Sequence, residues 1–191
     1  MNQFADWMIS LIERSGVPCK HAKEVYVYGL ALMVYTFLST LGLLLIGAVA
    51  GRLPETALLV ALFYTNQTHG GGFHAPSHLK CFLTMVLGLL LFLASFLLPL
   101  STTNDMVMSF VSLVILYTHP LILHKNKAYL DPKSPQLIRK SRVIVLLESA
   151  SFVLFLPIGD ARWIHSFSFA LVLCACSRMA AIGLRQGKSY S

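Results

Sequence analysis

The sequence contains few charged residues, and very few of these are acidic. Charged side chains make up 12% of the 191 residues, about half of the ~25% that is usual in soluble domains. Asp and Glu together number only 8. Intrinsic disorder is excluded, because disordered chains combine high charge with low hydrophobicity. Hydrophobic residues make up 56% of the chain, more than a single core of this size could bury. The composition therefore predicts an integral membrane protein.

Cysteine is also scarce, and its spacing provides neither a disulfide framework nor a C-x-x-C pair. The four cysteines are Cys19, Cys81, Cys174 and Cys176. A cleavable signal peptide is not predicted, because the start of the chain lacks a basic segment followed by an apolar run. The net charge of +7 arises from Lys and Arg residues that lie between apolar runs. This pattern is typical of membrane topology and argues against nucleic acid as a partner.

Apolar runs predict an all-α, multi-pass transmembrane fold with four to six membrane segments. Residues 25–50 are long enough to cross a bilayer with tilt, since they span about 39 Å as a helix. Residues 53–65 are too few to span alone, so they either re-enter the membrane or are extended by the polar stretch that follows. Four further runs are near spanning length, at residues 82–98, 106–123, 143–158 and 163–182.

Residues 2–14 have apolar side chains at helical spacing, from Phe4 and Trp7 to Leu11 and Ile12. This pattern predicts a short amphipathic helix, either lying on the membrane surface or packed as an ordinary helix. Together with the apolar runs, it indicates a single integral membrane domain over residues 1–191.

Basic residues are concentrated in those loops that the predicted topology places on one side of the bundle. Lys and Arg are concentrated before residue 25, in the loop 124–142 and at the C-terminal end, whereas the loop 99–105 contains none. Because basic loops remain in the cytoplasm, we expect both termini and residues 66–81 to be cytoplasmic. The basic loop 124–142 serves this topology, or else it docks anionic lipid or an acidic part of a peptide.

Residues 66–81 form the polar stretch with the greatest density of reactive side chains. It contains His69, His74, His78 and Cys81 beside the glycines at 70–72. Polar residues between membrane helices are candidates for function. Three interpretations are open: a cysteine nucleophile with a histidine base, a metal site, or a structural role.

A cysteine nucleophile requires a thiolate and a nearby base. Pro76 and Ser77 suit the start of a helix. That places Cys81 in the first turns, where the helix dipole and Lys80 favour the thiolate. His74 would fold back from the preceding glycine loop, whose backbone N–H groups could bind an oxyanion.

The metal interpretation uses His74, His78 and Cys81, whose spacing H-x-x-x-H-x-x-C would put zinc-compatible ligands on one helix face. It differs from the H-E-x-x-H metalloprotease motif because Ala75 follows the first histidine. In the structural interpretation, interfacial histidines and a buried free cysteine are inert.

Residues 71–76, GGFHAP, followed by Cys81, resemble the signature of the accessory gene regulator protein B (AgrB) family. These proteins are membrane cysteine endopeptidases of bacterial quorum sensing. The resemblance extends to chain length, to residues 117–120 and to the basic loop that follows them. It departs at residues 67–69, where members often have an arginine and this chain has Gln67, Thr68 and His69.

The resemblance implies catalysis by His74 and Cys81 in the bacterial cell membrane, on its cytoplasmic side, without a cofactor. The substrate would be a small AgrD-like precursor peptide, cleaved toward its C-terminal part. Cys81 would form an acyl-enzyme thioester, and a Cys or Ser of the peptide would displace it to give a thiolactone or lactone. The implied partners are this peptide and the lipid bilayer, and the family is compatible with a homodimer.

Glu148 lies within the run 143–158 and is a further candidate, because a carboxylate at membrane depth is a functional candidate by default. It would orient His74 as a third member, pair with Arg142 or Arg178, or snorkel toward water. Cys174 and Cys176 project to different sides of a helix and are assigned to the core or to lipid. The alternative to the enzyme is a non-enzymatic membrane protein, either a small transporter or a metal-binding subunit using His74, His78 and Cys81.

Overall fold

The computed structural model describes residues 23–73, 75, 77–124, 134–157, 160–184 and 187–190. The predicted amphipathic helix at 2–14, Cys19 and His74 lie outside these residues. Residues 125–133 of the basic loop 124–142 also lie outside them.

The described residues form six helices and two short strands, which confirms the predicted all-α, multi-pass fold. The elements are α1 Lys23–Val49, α2 Leu53–Gly70, α3 His78–Ser95, α4 Thr102–Thr118, β1 Leu121–His124, α5 Pro135–Phe155, α6 Ala161–Gly183 and β2 Gly187–Tyr190. Three stretches of these helices are long and apolar enough to cross a membrane: Leu32–Val49, His78–Ser95 and Ala161–Gly183.

The chain divides into two compact units, residues 1–42 and 43–191. In the first unit, the described residues 23–42 are continuous helix. Thr36 and Thr40 each donate a hydroxyl hydrogen bond to the carbonyl one turn earlier, to Leu32 and Thr36 respectively. The second unit contains the end of α1 and all the other elements.

Helix α6 is the central element of the second unit. Half of its membrane-length stretch is buried (50%), compared with 17% for α3. It contacts α2, α3, α4, α5 and both strands. Its buried face joins two apolar clusters, one around Leu116, Val145 and Leu171 and the other around Leu59 and Phe92. The C-terminal end of α6 is therefore fixed against its neighbours.

Large apolar side chains cover much of the outer surface. Examples are Val49, Phe110 and Leu154, which are 91%, 69% and 68% exposed. A soluble monomer rarely exposes continuous apolar surface of this kind, whereas lipid chains solvate it. The surface thus agrees with the membrane residence that composition predicts.

Local signals account for several helix boundaries. Ser77 has extended backbone angles and its hydroxyl caps α3, and Ser101 and Asp160 cap α4 and α6 in the same way. Pro54 and Pro135 lie in the first turns of α2 and α5, where the missing N–H costs nothing.

Helix α2 continues through the polar stretch to Gly70, which agrees with one of the two predicted alternatives for residues 53–65, extension by that stretch. The structure differs from the predicted segments at other helix ends, most clearly in α4 and α5. Helix α4 ends at Thr118, short of the predicted 123, because a proline at position 120 disfavours helical backbone at His119. Helix α5 begins at Pro135, ahead of the apolar run at 143, so its first turns are basic.

A two-stranded sheet begins directly after α4, and it was not predicted from the sequence. Strand β1 pairs antiparallel with β2, with Leu121 opposite Tyr190 and His124 opposite Gly187. Leu121 and Ile122 are buried. This small sheet packs beside the end of α2 and helps to position the glycines of residues 70–72.

Candidate active site

Cys81 lies in the first turn of α3, as the sequence predicts. The Ser77 hydroxyl accepts a hydrogen bond from the backbone N–H of Lys80 at 3.3 Å. The carbonyl of Ser77 accepts one from the N–H of Cys81 at 3.0 Å. The thiol is free and half-buried. Because the first turn of a helix has backbone N–H groups without helical partners, its surroundings stabilise negative charge.

His74 and Pro76 lie outside the described residues, but the backbone up to Phe73 is described. Phe73 donates its backbone N–H to the carbonyl and to the hydroxyl oxygen of Ser177, each at 3.0 Å. The residue immediately before His74 is thereby attached to α6. The hydroxyl of Ser177 also accepts from Nε2 of Gln67 at 2.8 Å.

The three glycines at 70–72, here called the glycine loop, lie too close to their neighbours to admit side chains. A Cβ on Gly70 would overlap the guanidinium of Arg178, and one on Gly71 would overlap the carbonyl oxygen of Ile122. Gly71 also has a φ of 71° and a ψ of −171°, a backbone conformation that is almost exclusive to glycine. A Cβ on Gly72 would lie 2.5 Å from Oε1 of Gln67 and 2.6 Å from Oγ of Ser177. The loop is therefore packed tightly onto α6 and β1.

A buried polar network lies directly behind the glycine loop. Arg178, Asn66 and Glu148 are 1%, 2% and 6% exposed. Asn66 Nδ2 donates to both carboxylate oxygens of Glu148 at 2.8 Å. Asn66 Oδ1 accepts from Nη2 of Arg178 at 3.2 Å. Nη1 of Arg178 donates to the carbonyls of Leu116 and His119, at 2.7 and 2.8 Å.

Of the three roles predicted for Glu148, snorkelling toward water is excluded by its burial. Glu148 and Arg178 share Asn66 as a hydrogen-bonding neighbour, so the structure favours pairing with Arg178, through that amide. The sequence predicted Arg178 as one of two possible partners of Glu148, but it did not indicate Asn66. The available signal was an arginine inside a run predicted to be in the membrane, where a charge needs a partner.

The other histidines of the stretch lie apart from this network. His69 is exposed on the last turn of α2, and its Nδ1 is 2.9 Å from the carbonyl oxygen of Thr65. His78 is exposed at the first position of α3. Within the described part of the chain, no group of three or more His, Cys, Asp or Glu side chains could hold a metal ion. The predicted set of His74, His78 and Cys81 includes one residue outside that part.

A pocket of about 640 Å³ opens beside the glycine loop. Its walls come from the end of α2, from β1 and from the first three turns of α5. The lining residues are Thr68, His69, Gly71, Leu121, Gln136, Leu137, Arg139, Lys140, Val143 and Ile144. Its lining is largely apolar, and Arg139 and Lys140 are exposed. No substrate-binding residue was predicted from the sequence, so this pocket is a candidate binding site that only the structure reveals.

A second polar cluster lies where α3 ends and α4 and α6 begin. His165 Nδ1 is 3.0 Å from Oδ1 of Asp105, and its Nε2 is 2.7 Å from Oγ of Ser95. The geometry is that of a Ser-His-Asp set, but the Ser95 hydroxyl also donates to the carbonyl of Phe92 at 2.6 Å. Ser95 is also the last residue of α3, where the helix dipole opposes an oxyanion. We interpret the cluster as a structural one that stabilises the packing of these three helix ends.

The remaining cysteines agree with their prediction. Cys174 is buried in the apolar cluster around Leu171, and Cys176 is exposed on the outer surface of α6. Neither lies in the polar stretch that carries Cys81.

The fold and these sites define a multi-pass α-helical membrane protein in which a packed glycine loop is followed along the chain by a helix with a cysteine in its first turn. The family model Accessory gene regulator B matches residues 2–182, and the chain belongs to that family, as the resemblance of residues 71–81 predicted. Membership places the chain in accessory gene regulator quorum sensing, where the family processes a precursor peptide. No curated protein and no solved structure matches the chain.

Proposed function

We propose that this chain is a membrane-embedded cysteine endopeptidase that cleaves a small AgrD-like precursor peptide. Cys81 is the nucleophile and His74 the general base. The observation that carries the proposal is the arrangement around Cys81. Its thiol is free and half-buried in the first turn of α3, and the glycine loop that precedes this helix is held in place up to Phe73.

The chemistry is acyl transfer. His74 takes the proton of the Cys81 thiol as sulfur attacks the scissile carbonyl, and it returns that proton to the leaving amine. An acyl-enzyme thioester forms and the C-terminal fragment departs. A thiol or hydroxyl of the retained fragment then displaces Cys81, which closes a thiolactone or lactone ring and restores the free thiol.

Cyclisation competes with hydrolysis of the thioester. An internal nucleophile has an entropic advantage over water because it is already held close to the carbonyl. A half-buried thiol, with the tightly packed glycine loop preceding His74, limits the access of water. Both effects favour the ring as the product.

The pocket beside the glycine loop is where we propose that the peptide binds. Its walls include the apolar side chains of Leu121, Leu137 and Ile144, while Arg139 and Lys140 add positive charge. By the distribution of basic residues, this end of the bundle faces the cytoplasm. The precursor would therefore be cleaved on the cytoplasmic side of the bacterial cell membrane.

The proposal is tested by coexpressing the chain with a small AgrD-like precursor peptide and following the peptide by mass spectrometry. Cys81→Ser is expected to abolish cleavage while the protein remains folded in the membrane. Cys176→Ser is the matched control, because that thiol is exposed on the outer surface of α6, and it should leave cleavage unchanged. Full processing by Cys81→Ser would refute the proposal.

A further inference from the structure

Two buried charges at the Cys81 end of the second unit are joined by a neutral amide. Arg178 donates to Oδ1 of Asn66 at 3.2 Å, and Nδ2 of Asn66 donates to Glu148 at 2.8 Å. The two neighbours fix the orientation of this amide. Exchanging its oxygen and nitrogen would turn an NH₂ group toward the guanidinium and an acceptor toward the carboxylate. Asn66 therefore fits only while both charges are in place.

The network costs more to bury than an apolar core would. Removing two charges from water is expensive, and a buried pair is weak evidence for stability. Its better-founded use is to impose one geometry. The role of this network therefore lies in the groups that it holds in place.

Arg178 joins three elements at the glycine loop. Its Nη1 group donates to the carbonyls of Leu116, in the last turn of α4, and of His119, directly after that helix. Its Nη2 group donates to Asn66 on α2. The same guanidinium lies directly against Gly70. The first residue of the glycine loop is thus held by a buried charge.

The preceding residue of α6 holds the other end of the same loop. Ser177 accepts the backbone N–H of Phe73 with both its carbonyl and its hydroxyl oxygen. Consecutive residues of α6 therefore fix the loop at Gly70 and at Phe73. His74 is the next residue along the chain.

We propose that Arg178, Asn66 and Glu148 form a positioning network that sets where His74 is presented to Cys81. These three are positioning residues, because they act through the loop and need not touch the substrate. The inference rests on the proposed peptidase function, since it requires His74 to be the base for Cys81. A displacement of about 1 Å in such a pair can cost on the order of a hundredfold in rate.

The test follows alkylation of Cys81 by iodoacetamide at pH 7, in membranes that contain the full chain, with peptide-resolved mass spectrometry. Glu148→Gln and Asn66→Asp keep the shapes of the side chains while altering the charges of the network. Ser177→Ala is a milder variant that removes only the hydroxyl acceptor of Phe73. Asp105→Asn is the matched control, because it disturbs a comparably buried carboxylate in the Ser95–His165 cluster.

We expect Glu148→Gln and Asn66→Asp to slow alkylation of Cys81 about tenfold, and Ser177→Ala to slow it less. Asp105→Asn should leave the rate unchanged although it also lowers the melting temperature. Because the network acts through His74, adding Glu148→Gln or Ser177→Ala to His74→Ala should cause no further slowing.

Two results separate this inference from the proposed function. If His74→Ala slows alkylation but the folded network variants react at the wild-type rate, or if their effects multiply with that of His74→Ala, the positioning role is refuted alone. Equal slowing by Asp105→Asn also refutes it. If His74→Ala itself leaves the alkylation rate of Cys81 unchanged, the catalytic pair is refuted, and the positioning role is refuted with it.

Discussion

The guanidinium of Arg178 fills the space in which a side chain at Gly70 would begin. These residues lie far apart in the sequence, yet their contact joins the buried charge of α6 to the loop that precedes His74. The absence of a side chain at residue 70 is thus a requirement of packing. Backbone conformation is not the reason, since Gly70 is the last residue of α2 and has no positive φ.

Gly70→Ala should damage the site. The added methyl group must displace Arg178, and overpacking of this kind costs about 1–3 kcal/mol. We expect a lower melting temperature in detergent and slower alkylation of Cys81. Gly183→Ala is the control, because no atom of the described residues lies within 4 Å of a Cβ at that position. If both variants behave alike, the contact between Gly70 and Arg178 has no role.

Gly71→Ala should be more harmful than the same change at Gly51. Both glycines have a positive φ, of 71° and 67°. Gly71 combines it with a ψ of −171°, a region that is almost exclusive to glycine and costs other residues about 1–3 kcal/mol. At Gly71 the new Cβ would also meet the backbone oxygen of Ile122. Both effects predict a larger loss of melting temperature for Gly71→Ala than for Gly51→Ala, and equal losses would contradict this prediction.

Glu148 and Arg178 should be strongly coupled. Glu148→Gln leaves Arg178 buried without a nearby anion, and loss of one partner from a buried pair costs about 3–5 kcal/mol. Arg178→Gln should cost a similar amount for the opposite reason. The double variant is expected to lose less stability than the sum of the two single variants, as measured by thermal unfolding. Simple additivity would mean that Asn66 does not connect the charges.

The cluster of Ser95, Asp105 and His165 should matter for stability and not for peptide processing. Asp105→Asn weakens its contact with His165, and we expect a loss of about 1–3 kcal/mol in the free energy of unfolding. Cleavage of the peptide per folded molecule should stay at the wild-type level. A selective loss of cleavage would instead give this cluster a part in the reaction.

Local features of the sequence were sufficient for much of the fold. Apolar runs predicted the membrane helices, because burial in lipid requires long continuous apolar stretches. Ser77 predicted the start of α3, because its side chain satisfies a backbone group three residues away. The place of Cys81 in the first turn followed from that helix start.

The contacts that hold the candidate site in place could not be predicted from local features of the sequence. Asn66 and Glu148 are 82 positions apart, and Asn66 and Arg178 are 112 apart. No periodicity or capping rule connects positions at such distances. The pairing of β1 with β2 is likewise long-range, and four-residue strands leave little pattern. A buried Arg in an apolar run shows that a partner is needed but does not identify it.

The most direct test of the central claim is detection of the acyl-enzyme. The chain in detergent is mixed with the precursor peptide, quenched in acid after short intervals and analysed by intact-protein mass spectrometry. We expect a transient mass increase equal to the retained peptide fragment less one water, located on Cys81, released by hydroxylamine and absent in Cys81→Ala. Cleavage of the peptide by Cys81→Ala, or an adduct on another residue, would contradict it.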